Sequence, residues 1–161
     1  MEALHTFAEW AWARHHNPLS WYVRPLLLVP YCYFAWRHSL VGMIAAVLAL
    51  ATSMFWFPAP DNPDPKAVEF LEAERQYLLG PWDITKWLFA ALVPIFFILL
   101  GLAFWRRSVL VGLATVNLAS LIKIGWSFHF AGTSGWTVVA PALLGLAVVN
   151  SVLLFELRRR D

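Results

Sequence analysis

Five long apolar segments limit what this chain can fold into. Each has close to the roughly 20 residues that a helix needs to cross the hydrocarbon core of a bilayer. They cover residues 20–36, 39–57, 84–105, 108–128 and 135–157. Because hydrocarbon offers no partner for free backbone N–H and C=O groups, each segment is predicted to be a helix. The first is short and contains Arg24, Pro25 and Pro30, which predicts a kink with Arg24 reaching back to the interface.

Composition supports the same fold class. Apolar residues make up 60% of the 161 residues and charged residues only 14%, well below the roughly 25% that is usual in soluble domains. We therefore expect an all-α, polytopic integral membrane protein, one membrane domain over residues 1–161 with about five transmembrane helices. The bilayer is its expected partner. The net charge of +2 is too small to favour nucleic acid, and the single cysteine, Cys32, excludes a disulfide within one chain.

The arginines predict the orientation of the bundle, because short loops rich in Arg and Lys stay on the cytoplasmic side of a membrane. One side carries six arginines and two carboxylates: Arg37, Arg106, Arg107, Arg158, Arg159 and Arg160, against Glu156 and Asp161. The other side carries eight carboxylates together with five basic residues, Arg14, Arg24, Lys66, Arg75 and Lys86. We expect a multi-pass protein of the cell membrane with its N-terminus outside and its C-terminus in the cytoplasm.

Two further helices are predicted on the outer side. Asp64 can cap a helix that begins at Pro65, and Gly80 followed by Pro81 can end it, which predicts a helix over residues 65–79. Its apolar face is expected to contain Val68, Leu71, Leu78 and Leu79, and to lie flat on the membrane. Residues 2–16 form a second interfacial amphipathic helix in this prediction.

A possible internal repeat joins the two inner turns. Trp36-Arg37-His38-Ser39 resembles Trp105-Arg106-Arg107-Ser108, and Trp56 lies 70 positions before Trp126. One explanation is duplication of a two-helix hairpin. The other is that inner turns of a Trp-rich membrane protein converge on an aromatic residue, a basic pair and a helix cap.

Polar residues inside the fourth segment are the main candidates for a functional site, because a polar group in a span is costly unless it faces protein or water. Asn117, Ser120, Lys123 and Ser127 fall on one face of a helix. We expect them to line an outward-facing polar cavity. The candidate substrate or ion ligands are Lys123, Asn117, Ser120, His129, Arg24, Glu69 and Glu72. The alternatives are a Lys123 that extends to the headgroups and an Asn117 that only joins two helices.

Histidines and carboxylates on the outer side form a second candidate group. His5, Glu9, His15 and His16 are side chains of the kind that bind a divalent metal ion, the one cofactor that the sequence suggests. No HExxH motif and no paired Glu-x-x-His signature accompanies them, and solvated surface residues are the simpler explanation.

Three functions remain open at this level. The first is an ion or small-solute channel or transporter, which would need a homo-oligomer to enclose a pathway. The second is a membrane enzyme or binding protein that acts on a lipid or another amphiphile at the outer leaflet, where Arg24 and Lys123 could hold an anionic group. The third is an accessory subunit of a larger membrane complex.

Overall fold

The computed structural model describes residues 2–158, and over that range it is all-helical, with no strand. Arg159 and Arg160, which enter the charge argument, lie outside the described residues. The eight α-helices are α1 Glu2–His15, α2 Leu19–Leu26, α3 Leu28–Trp36, α4 Leu40–Thr52, α5 Pro65–Leu79, α6 Ile84–Trp105, α7 Val109–Ala131 and α8 Trp136–Arg158. Short 3₁₀ turns follow α4 at Ser53–Phe55 and α7 at Gly132–Gly135.

Two helical stretches are long and apolar enough to cross a membrane. They are Ile84–Trp105, which is α6, and Val109–Phe155, which contains α7, the 3₁₀ turn and most of α8. The other apolar helices in the described range are shorter, with 8, 9 and 13 residues in α2, α3 and α4. Five separate spans are therefore not established by helix length.

The first predicted segment is divided into two helices because of its prolines. Pro30 has no N–H to donate to the carbonyl of Leu26, and its ring crowds that carbonyl. The α-helix accordingly ends at Leu26 and begins again at Leu28. Leu27 keeps helical backbone angles between them, so α2 and α3 remain nearly continuous.

The helix predicted in the long loop is α5, which begins at Pro65 after the Asp64 cap and ends at Leu79 before Gly80. The Asp64 carboxylate accepts a hydrogen bond of 2.9 Å from the backbone N–H of Lys66. Its buried face differs from the predicted one, since Ala67, Phe70 and Leu71 are buried while Leu79 is 78% exposed. The reason is that α5 packs against α7 and the 3₁₀ turn after it, so its contact face is set by protein.

The hydrophobic core lies toward the end of the bundle that carries Arg37, Arg106 and Arg107, which we call the arginine end; the opposite end is the α5 end. Ala35 and Leu100 are fully buried there, and Phe104 is 3% exposed. Further core residues come from α3, α4, α7 and α8: Tyr31, Cys32, Ala46, Val109, Val116, Val149 and Leu153.

The two turns at the arginine end have matching geometry. His38 and Arg107 both take the left-handed backbone conformation, with φ of 55° and 58°. The backbone N–H two residues into each turn closes the preceding helix in the same way, from Ser39 to the carbonyl of Phe34 and from Ser108 to the carbonyl of Ala103. The two turns therefore end their helices with the same common hydrogen-bonding pattern, which both explanations of the repeat allow.

Ring contacts cross between the two turns. The His38 ring stacks on Trp105 with centroids 4.6 Å apart, and its Nε2 lies 3.0 Å from the Trp105 carbonyl oxygen. In the other direction, the Arg107 guanidinium lies 5.4 Å from the ring centroid of Trp36. The two hairpins are thus held side by side.

Candidate functional site

A cavity of about 620 Å³ occupies the α5 end of the bundle, and all eight helices contribute to its lining. This volume is within the usual range for a small-molecule site. Most of the lining is apolar, with Leu28, Phe96, Val116, Leu146 and Val149 toward the core of the bundle. The charged or titratable side chains in the lining are His15, Arg24, Glu74 and Lys123, and Ser120 also lines the cavity.

The cavity is open to the surface beside the first half of α6. Leu92, Val93 and Leu99 line it and are nevertheless 40%, 60% and 51% exposed. On the facing helix, Leu118 and Ile122 also line the cavity and are exposed. This part of α6 stands away from the bundle because α6 packs mainly on α3 and α7.

Lys86 fixes the start of α6. Its side chain is 4% exposed, and its ammonium donates hydrogen bonds to the carbonyls of Tyr77, Leu78 and Gly80 at the end of α5. The same ammonium lies 4.6 Å from the ring centroid of Trp82. Lys86 therefore caps α5 and joins the loop helix to α6.

Lys123 lines the cavity from α7 and is accessible there. Among the side chains that the structure describes, at positions 2 and 5–155, none makes a hydrogen bond or ion pair with its ammonium. The charges of Glu74 and Arg24 both act on it. Lys123 thus presents a positive charge to a largely apolar space.

Arg24 is positioned by His15. Its Nη2 donates to Nδ1 of His15 at 3.2 Å, and because guanidinium has no acceptor, His15 must accept at Nδ1 and carry its proton on Nε2. His15 is 6% exposed between the rings of Trp12 and Trp21. Burial, with the charges of Arg24, His16 and Lys123, lowers the pKa of His15 from 6.5 to about 3. The imidazole is therefore neutral near pH 7.

Glu74 is the acidic member of the site, and the sequence analysis missed it. It shares one face of α5 with Ala67, Phe70 and Leu71, and this is the face that packs on the bundle. Glu69 and Glu72, the residues predicted for this role, are exposed and do not line the cavity. The buried aromatic Phe70, four residues before Glu74, is the signal that could have identified the correct face.

The other predicted ligands lie elsewhere. Asn117 exchanges two side-chain hydrogen bonds with Asn150 of α8, at 2.9 and 3.0 Å, so its amide is engaged within the bundle. His129 is exposed, packs edge-on against Phe130 and does not line the cavity. Of the predicted polar face, only Ser120 and Lys123 reach the site.

The candidate metal ligands are dispersed in a similar way. His5 lies 4.0 Å from Glu9, whose carboxylate accepts a hydrogen bond of 2.9 Å from Arg75. The Nδ1 of His16 lies 2.9 Å from the carbonyl oxygen of Trp12, and His15 faces Arg24. Where the structure describes side chains, at positions 2 and 5–155, no group of three or more His, Cys, Asp or Glu is placed to hold a metal ion.

Comparison of the chain with models of known families, with curated proteins and with solved structures returns no match. The chemistry of the site therefore follows from its own residues. Two cations, one carboxylate and a neutral imidazole lie at one end of an apolar cavity, an arrangement that suits a molecule with one charged end and one apolar end.

Proposed function

We propose that this chain is an integral membrane protein that binds an amphiphile, with its anionic group held by Arg24 and Lys123 and its apolar part in the body of the cavity. The observation that carries the proposal is the division of one cavity into a charged end and an apolar body. This proposal corresponds to the second of the three functions left open by the sequence.

A membrane location is supported by the exposure of the apolar helices. Only 22% of the most apolar window is buried in each of the two long stretches, whereas the core helix of a soluble protein is mostly buried. Ile84 and Leu110, for example, are 73% and 72% exposed. Such a surface is stable in contact with hydrocarbon and unfavourable in contact with water.

Five crossings form part of the proposal. In this arrangement α2 and α3 together make the first span, α4 with its 3₁₀ turn the second, and α6, α7 and α8 the remaining three. The arginine end is then cytoplasmic, and the cavity belongs to the outer half of the membrane. The opening beside α6 would face lipid, which gives an amphiphile a direct route into the site.

Binding is favoured over transport across the membrane because of the core at the arginine end. A pathway from the cavity to that end would have to pass Leu100, Phe104 and Val149, which are at most 3% exposed. The Asn117–Asn150 pair also engages the polar groups that a pathway would need. A binding site at one leaflet requires no opening of this core.

Filling the cavity tests the proposal. Ala119 lines the cavity on α7, and Ala119→Phe should occupy part of the space that the apolar chains need. Ala114→Phe is the matched control, because Ala114 lies on the same helix and is exposed outside the cavity. Each purified protein is incubated with mixed phospholipids, and retained lipid is counted by native mass spectrometry.

We expect the parent chain and Ala114→Phe to retain a phospholipid, and Ala119→Phe to lose it. Diacylglycerol with the same acyl chains should be retained poorly, because it lacks the anionic phosphate. Equal retention by the two Phe variants, or equal retention of phospholipid and diacylglycerol, would contradict the proposed function.

A further inference from the structure

The charged end of the cavity contains both signs of charge, and they are not neutralised by direct contact. Among the described residues 2–158, no ion pair of 4.0 Å or less joins Glu74 to Arg24 or to Lys123. All three side chains nevertheless line the same cavity. Two positive groups and one negative group therefore face the same space with room between them.

Both cations have hydrogen-bonding capacity left for a ligand. Arg24 uses one N–H on His15, and a guanidinium has five in a planar fork that matches phosphate oxygens. Lys123 has three N–H donors, and none of them is engaged by the side chains that the structure describes, at positions 2 and 5–155. His15 also lines the cavity beside them, with Nδ1 accepting from Arg24 and its proton on Nε2.

Glu74 has the opposite requirement. A carboxylate in a largely apolar site is stabilised by donors or by positive charge, and it disfavours a second negative charge nearby. A ligand whose head is only anionic would satisfy Arg24 and Lys123 but would bring its charge close to Glu74. A head with a phosphate and an ammonium can meet all three side chains at once.

We infer that the site selects a zwitterionic aminophospholipid, with its phosphate on Arg24 and Lys123 and its ammonium on Glu74. The inference rests on the proposed function and adds the class of ligand. Glu74 has two roles in it, since it attracts the ammonium and repels purely anionic heads, and specificity commonly combines these two effects.

The test compares three lipids with identical acyl chains: phosphatidylethanolamine, phosphatidylglycerol and phosphatidic acid. Binding of each to the purified full chain is measured by native mass spectrometry in competition. We expect phosphatidylethanolamine to be preferred by about tenfold over the two anionic lipids. Glu74→Gln should remove most of that preference, because the amide neither pairs with the ammonium nor repels the anionic heads.

Glu69→Gln is the matched control, because Glu69 lies on the same helix, is exposed and does not line the cavity. It should keep the preference of the parent chain. If the parent chain retains all three lipids equally, or if Glu74→Gln leaves their ratio unchanged, the inference is overturned while the proposed function stands. If no phospholipid is retained, both are overturned.

Discussion

The side-chain amides of Asn117 on α7 and Asn150 on α8 face each other and exchange two hydrogen bonds, at 2.9 and 3.0 Å. Each amide is the other's partner across the interface, and Asn117 also donates to the carbonyl of Leu113. The pair lies near Val116 and Val149, where the cavity meets the core. The pair joins α7 and α8 between the proposed binding site and the arginine end.

This pairing makes the two asparagines interdependent. Asn117→Leu should destabilise the fold by about 1 kcal/mol, because it leaves the Asn150 amide in an apolar interface without its partner. Asn150→Leu should have a similar effect. The double variant should be less destabilised than the sum of the two single variants, which can be measured by unfolding in mixed micelles. Strict additivity would contradict a direct coupling between the two amides.

Lys86 should be more important for stability than a lysine near a helix start usually is. Lys86→Met removes the donor to three carbonyls at the end of α5, at an expected cost of about 2 kcal/mol for hydrogen bonds to a charged group. Amide exchange should accelerate near residues 76–80. Lys66→Met, at an exposed position on α5, is the control and should change neither quantity. Unaltered exchange at the end of α5 would exclude Lys86 as its cap.

His15 should make stability depend on pH. Its pKa is 6.5 when unfolded and about 3 when folded, so below pH 6.5 the unfolded chain binds a proton that the folded chain does not. Stability should therefore fall as pH is lowered from about 6.5 towards 3. His15→Gln should flatten this dependence between pH 7.5 and 5, measured by thermal unfolding, whereas the exposed His5→Gln should retain it. A His15→Gln profile identical to that of the parent chain would refute this assignment.

Lys123 should affect binding and stability in opposite ways. Lys123→Met removes a positive charge that has no close partner in the described structure, so we expect the fold to be equally stable or slightly more stable. Phospholipid retention should fall about tenfold or more. Lys123→Arg should keep most of the retention, since a guanidinium also binds phosphate. Normal retention by Lys123→Met would remove Lys123 from the site.

The proposed topology can be tested by cysteine labelling in a Cys32→Ser background. A cysteine at Asp61, an exposed residue of the loop before α5, should react with an impermeant reagent added from outside. A cysteine at Ser108, in the turn after α6, should react only after the membrane is opened. The reverse pattern would place the N-terminus in the cytoplasm.

The positions of the helices could be predicted from the sequence because local signals mark them. Two of these signals are helix caps: the Asp64 carboxylate, and the Asp83 carboxylate, which accepts a hydrogen bond of 2.8 Å from the backbone N–H of Lys86. The long apolar runs are the third, and each signal acts within one helix. The break at Leu27 was anticipated only as a kink, since Pro25 and Pro30 indicate a disturbance but do not fix whether the helix bends or ends.

The members of the site were harder to predict because they depend on how helices pack. Arg24, Ser120 and Lys123 were identified from their polarity within apolar segments, a rule that needs no tertiary information. Glu74 could not be separated from Glu69 and Glu72 without knowing that α5 packs on α7. Asn150 was overlooked because it and the adjacent Ser151 are isolated in the apolar middle of α8 and form no helical pattern, and its role appears only when α7 is beside it.

If the two hairpins arose by duplication, the crossed contacts at the arginine end describe how the ancestral hairpins associated. In a shorter protein with one hairpin, the exposed tryptophan of each turn would be covered by the basic residue of a second copy, so that ancestor would have been a dimer. Fusion of the two copies would free each half to change independently. At the offset that relates Trp56 to Trp126, the counterpart of Lys123 is Ser53, which is fully buried and donates to the carbonyl of Leu50 at 2.7 Å. On this view, one half kept a purely structural role and the other acquired the charge that the site uses.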